Sequence, residues 1–277
     1  MSQYKVAVFL CLFIMIPSVS GHGTAHTRIE VINKEIAKDE DNAELYLKRG
    51  RVYADTRHWE DAINDFKKTK QLDPNFIDAD FWLGVVYFES GKLNKAKNYL
   101  ESYLKIKPNA AQPLLYYARL HAKLGQNSAA EMYFDKAITA WEVKYPELYI
   151  ERARHMLKSK PLRFSLIEKG LAEGVQEVGK VVSLIDELIR ISMQAKKYER
   201  AIYWMAQWPD SYKKTPLGLS KLAGVYELNG DYDIALATYQ KCLDAINKLP
   251  QHRQNVVAIT ELSNQAKNAI RKIRKSH

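Results

Sequence analysis

The chain has 277 residues, a formal net charge of +10 and two cysteines. That length can bury a core without covalent staples, and two cysteines exclude a disulfide-knit small module. The basic balance admits an anionic surface or an acidic partner, but no interleaved aromatic–basic motif accompanies it, so nucleic acid is not an expected partner.

The first 21 residues read as a separate object. Lys5 and the amino terminus precede a chargeless apolar run at 6–16, and Pro17, Ser18, Val19, Ser20 and Gly21 follow it. A basic start, an apolar stretch and a small-residue exit make a secretory signal peptide cleaved near Gly21. The run is shorter than the roughly 20 residues that cross a bilayer, so no stable span is expected after cleavage. The expected location is the periplasm or the outside of the cell; the alternative is an inner-membrane anchor formed by 6–16. Cleavage leaves Cys242 as the one cysteine, expected as a small buried residue on a helix.

Residues 22–42 form a leader and an N-terminal cap, with 29–36 covering the first repeat. His22 and His26 lie four apart, and cleavage after Gly21 would add an α-amine to them, a donor set that suits copper or zinc. Nothing in the segment holds the two histidines in place, and no cofactor is expected.

From residue 43 the chain repeats. Ala62, Ala96 and Ala130 recur every 34 residues, and Tyr53, Tyr87 and His121 keep the same step, as do Gly50, Gly84 and Ala118. A fixed period with small, aromatic and proline positions in phase signals stacked helix–turn–helix units. In the first unit, helices are expected at 43–55 and 60–72, with Arg57, His58 and Trp59 at the turn and Asp73-Pro74-Asn75 as the stop. Gly50 and Ala62 should form the close crossing, because only tiny side chains let helix axes approach to about 8–9 Å. The alanine register fails after 141. A degenerate unit is expected at 147–178, with helices at 147–158 and 162–171 around Lys160-Pro161. Ala201 and Ala235 restore the register, and apolar positions from Val256 to Ile273 predict a C-terminal cap. The basic cluster Lys267, Arg271, Lys272, Arg274 and Lys275 reads as a solvated helix end.

The pattern resembles the tetratricopeptide repeat (TPR) family. Leu83-Gly84, Tyr87, Gly91, Leu93, Ala96 and Pro108 carry the likeness in 77–110, and Leu222-Ala223, Tyr226, Gly230, Tyr232, Ala235 and Tyr239 carry it in 216–249. The resemblance implies an all-α solenoid, a right-handed superhelix of five to six repeats. Three repeats fall in 43–141, the degenerate one in 142–178, two more in 179–250, and the cap and basic tail in 251–277.

It also implies a concave groove lined by the first helix of each repeat. Carried over, the groove residues are Lys48, Arg51, Phe81, Trp82, Val85, Phe88, Tyr116 and Arg119, with Arg51 and Arg119 pairing carboxylates of an extended peptide. Adjacent Phe81 and Trp82 cannot both enter their own repeat's core, so one is exposed or covers a neighbour. At the positions where some family members clamp a chaperone's terminal carboxylate, this chain has Leu47, Arg51, Trp82, Gln112 and Tyr116, which leaves that clamp absent. With no phosphate loop, paired-cysteine spacing or nucleophile elbow, the expected role is a non-enzymatic scaffold in the cell envelope. The alternatives are a metal-handling accessory protein using His22 and His26, or a membrane-tethered assembly factor.

Overall fold

The computed structural model describes residues 21–159 and 161–276, and side chains from Thr24 onward. The signal-peptide and anchor expectations fall on residues outside that range. All regular structure among the described residues is helical.

The chain divides into two compact units, one ending at Pro108 and one beginning at Asn109. The first contains α1 (Gly21–Ile36), α2 (Ala43–Asp55), α3 (Trp59–Leu72), α4 (Ile77–Glu89) and α5 (Leu93–Ile106). Here α1 packs on α2, and the pairs α2/α3 and α4/α5 stack on each other. Asn42 starts α2 by accepting the Glu44 amide at 3.2 Å, which satisfies one of the orphan donors of the first turn.

The second unit holds α6 (Ala111–Lys123), α7 (Asn127–Ala140), α8 (Pro146–Met156), α9 (Phe164–Val178), α10 (Val182–Gln194) and α11 (Tyr198–Ala206). It continues through α12 (Asp210–Lys213), α13 (Pro216–Asn229), α14 (Tyr232–Asn247), α15 (Gln251–Gln254) and α16 (Val257–Ser276). Its pairs are α6/α7, α8/α9, α10/α11 and α13/α14, and α16 packs on α14 and α13. The cap is an amphipathic helix: Leu262, Ala266, Ile270 and Ile273 join Ala235, Tyr239, Cys242 and Ile246 in one buried cluster.

Each clear repeat turns in the same way. Arg57, Gly91, Gly125, Lys196 and Gly230 have φ of 63°, 79°, 73°, 55° and 90°. The next amide reaches back across the helix end: His58 to Tyr53, Lys92 to Tyr87, Gln126 to His121, Lys197 to Ser192 and Asp231 to Tyr226, all at 2.8–2.9 Å. This is a left-handed helix stop, which glycine adopts freely and other residues adopt at a cost of about 1–2 kcal/mol. Arg57 is exposed and forms no ion pair among the described residues, so its side chain returns little for that strain. Arg57→Gly is therefore expected to raise the stability of the first unit by roughly 0.5–1 kcal/mol, after the extra chain entropy of glycine is subtracted. A lowered midpoint in urea would contradict this reading of the turn.

Small residues set the close helix approaches. A methyl group on Gly50 would sit 2.6 Å from the Phe66 ring and 3.1 Å from Asp65 Cβ, and one on Gly84 would sit 2.8 Å from Leu100 Cγ. Gly50 thus meets Phe66, one turn beyond the expected partner Ala62, and Ala62 is itself fully buried.

The degenerate segment uses the same device with other residues. A methyl on Gly174 would lie 2.7 Å from Tyr149 Cγ, and one on Gly170 would collide with the Arg152 guanidinium. The expected end at 171 is corrected: α9 runs on to Val178, and the close packing of Gly170 and Gly174 offsets the low intrinsic helicity of glycine.

Candidate functional site

In the first unit, α2 and α4 are the leading helices of adjacent repeats, and they touch. Lys48 and Arg51 are exposed on α2, while Trp82 is half-buried on α4. The Arg51 guanidinium lies over the Trp82 ring, 4.8 Å from its centroid. Trp82 in turn stacks on Phe66 with centroids 6.3 Å apart and 24° between planes. Lys48 pairs loosely with Glu44 at 3.5 Å, an exposed contact of little energetic weight. Arg51 has no carboxylate partner among the described residues. An exposed cation over an aromatic ring can receive a carboxylate while the indole buries apolar surface.

Phe81, Val85 and Phe88 are buried, at 6%, 5% and 4% exposure. Phe81 packs on Tyr103, centroids 5.6 Å apart, as well as on Trp82. Of the two adjacent aromatics, Phe81 is therefore the core residue and Trp82 the one that reaches the surface. These three residues form the floor of α4 and do not present a wall to solvent.

In the second unit, Tyr116 and Arg119 are half-buried on α6, with the guanidinium 5.3 Å from the Tyr116 ring centroid. Arg119 grips Glu151 of α8 in a fork, Nε to Oε1 at 2.6 Å and Nη2 to Oε2 at 2.7 Å. Burial pushes its pKa down, but the hydrogen bonds and charge of Glu151 outweigh that and hold the guanidinium above its ordinary value. The expectation that Arg119 waits for a ligand carboxylate is corrected: its planar fork already has one.

The Arg119–Glu151 pair is one rung of a larger arrangement that the repeat pattern did not reveal. Arg154 of α8 binds Glu187 of α10; Arg163, just before α9, binds Glu131 of α7, and Arg200 of α11 binds Glu168 of α9. These partners stand 32 or 33 residues apart. Opposite charges at a near-repeat spacing were the available signal. The rungs gather in the region where the alanine register fails.

His26 is exposed on α1, and the side chain of His22 lies outside the described residues. Among the described residues no group of three or more potential metal-binding side chains converges, and no helix is long and apolar enough to cross a membrane. Cys242 is fully buried, with Sγ 3.2 Å from the Pro216 carbonyl oxygen, and burial pushes its pKa up to about 11. A thiol so held is inert at neutral pH.

Comparison with known proteins agrees with the helix-pair architecture. Tetratricopeptide repeat models match residues 57–112, 87–140 and 219–248. The ycf37 protein of Pyropia yezoensis is 32% identical over 80 residues, which cover 28% of this chain and 45% of that protein. A TPR repeat-containing protein of Methanocaldococcus jannaschii is 24% identical over 242 residues, covering 80% of this chain and 40% of that one. The chain thus spans less than half the length of these relatives. Among solved structures, the C-terminal part of a TPR repeat-containing protein from Cytophaga hutchinsonii superposes with a TM-score of 0.61. The identity is 16%, and 85% of this chain and 95% of the other are covered. A TPR protein described as having an unusual peptide-binding site, YrrB, gives 0.51 at 15% identity, covering 76% of this chain and 99% of its own. Family models, repeat spacing and the recurring turn converge: residues 57–140 and 219–248 are tetratricopeptide repeats.

Proposed function

We infer that this protein is a scaffold of the cell envelope that holds an extended, partly acidic segment of another protein against the α2/α4 face of its first unit. The carrying observation is Arg51, exposed and stacked on Trp82 without a carboxylate partner among the described residues. Lys48 adds a second cation one turn away. The aromatic supplies buried area and Arg51 supplies orientation, the combination that makes binding hot spots. The peptide-binding character of YrrB, a structural neighbour, is in keeping with this reading. The basic-apolar start at 1–21 supports an envelope location.

The test is fluorescence anisotropy with extended peptides that combine acidic and aromatic residues. Arg51→Glu and Trp82→Ala are each expected to weaken the tightest peptide at least about tenfold, through lost charge pairing and lost burial. Lys67→Glu, an exposed substitution on α3, should leave affinity unchanged. Equal affinity for wild type and Arg51→Glu would remove this face from consideration. The mass of the chain purified from cells tests the location: a start at His22 agrees with export and cleavage, and a start at Met1 favours the anchor.

A further inference from the structure

We propose that the outward face of α16 is a docking surface for a bilayer rich in anionic phospholipid. Its inner face is committed, with Leu262, Ala266, Ile270 and Ile273 buried against α14, so the helix is held in one orientation. That orientation leaves Lys267, Arg271, Arg274 and Lys275 exposed over its last turns. None of the four makes an ion pair or hydrogen bond among the described residues, whereas their neighbour Lys272 is tied to Glu227 at 3.1 Å. Glu261 is the one carboxylate between 251 and 276, two turns away from the cluster.

Stabilisation of the helix dipole does not account for the whole group. That effect fades within the final turn, and Lys267 and Arg271 stand before it. The four positions cover 267–275, about 12 Å of helix at 1.5 Å per residue, as a strip of flexible cations. No large aromatic lies in α16 to anchor a protein hot spot. A field of phosphate groups needs no pocket. Each such cation contributes on the order of 1 kcal/mol near an anionic surface, which corresponds to about fivefold in partitioning.

The experiment is co-sedimentation of the protein, as purified from cells, with phosphatidylglycerol–phosphatidylcholine vesicles and with phosphatidylcholine alone. The readout is the difference between the two partition coefficients. The variant Lys267→Gln/Arg271→Gln/Arg274→Gln/Lys275→Gln should lose about 100-fold or more of the phosphatidylglycerol-dependent binding. A variant of equal net charge, Lys67→Gln/Lys92→Gln/Lys105→Gln/Lys158→Gln, should keep most of it, and raised salt should release the wild type. Should the fourfold variant misfold by circular dichroism, Arg271→Gln and Lys275→Gln singly are expected to lose about fivefold each. Equal losses in both fourfold variants would reduce the effect to net charge and overturn the proposal. So would equal pelleting with the two kinds of vesicle, or binding of polyglutamate by this face without any binding of anionic vesicles.

Discussion

Replacing Phe66 by alanine is expected to lower the stability of the first unit by about 3–5 kcal/mol. The ring is fully buried in α3. One edge fills the hollow left by the missing side chain of Gly50, and its face stacks on Trp82 of the next repeat. Alanine would empty both contacts at once, and neither helix can close the gap without moving against its other neighbours. In repeat proteins stability is the sum of each unit and its interfaces, and Phe66 belongs to a unit and an interface together. A domain of this size holds only about 5–15 kcal/mol in total, so the loss is a large share. In thermal melts the first transition should fall by more than about 12 °C, and hydrogen exchange should accelerate within 43–106 more than in the second unit. Phe66→Leu, which keeps most of the volume, should cost less than about 1.5 kcal/mol. A loss below about 1 kcal/mol for the alanine variant would mean that this ring does not set the α2–α3 approach. The same substitution removes the support under Trp82, so it should also weaken peptide binding without touching Arg51.

Removing Glu187 is the second large effect. Its carboxylate is 4% exposed and sits between two arginines: Oε1 accepts Arg154 Nε at 3.2 Å and Arg190 Nη2 at 2.7 Å, and Oε2 accepts Arg190 Nε at 3.0 Å. Taking away one side of a fully buried pair costs about 3–5 kcal/mol. Both arginines are half in water here, with side chains 63% and 48% exposed, so Glu187→Ala is expected to cost about 2–3 kcal/mol after screening.

The acid response follows from the same geometry. Burial pushes the Glu187 carboxyl pKa up, but the hydrogen bonds and charges of Arg190 and Arg154 outweigh it, and the net position is below the ordinary glutamate value. The folded state therefore holds this proton more weakly than the unfolded chain. Its contribution is complete above the unfolded pKa of about 4.3 and disappears as the pH falls through the lower, folded value. The stability difference between wild type and Glu187→Gln should be constant near neutrality and shrink under acid. Acid limbs that run parallel for the two proteins would refute the ion pair.

The architecture was legible because its causes are local and periodic. Three alanines at one spacing, an aromatic in phase and a stop at each proline need no tertiary information, and α2 (Ala43–Asp55) begins and ends where the sequence predicts. The turns were legible where glycine marked them. At Arg57 and Lys196 the same left-handed backbone carries a side chain, and only the phase of the repeat identified the first of them. The degenerate segment was harder. Gly170 and Gly174 look like helix breakers in sequence, and they become contact points only once Arg152 and Tyr149 are seen against them.

The candidate site divides along the same line. The family resemblance placed Lys48, Arg51, Trp82, Tyr116 and Arg119 on one face together with Phe81, Val85 and Phe88, without distinguishing the residues that pack inward. Which of those residues meet water was a matter of contact. Phe81 goes inward because Tyr103 and Trp82 enclose it, and Val85 and Phe88 are likewise buried. Arg119 is committed because Glu151, far away in sequence, lies within reach of its fork. Arg51 lies over Trp82 and pairs with no carboxylate among the described residues. Periodicity is a property of the chain, and so the repeat and its helices followed from the amino acids alone. Exposure and pairing depend on which distant side chains come together, and so the surface available to a partner was decided by packing.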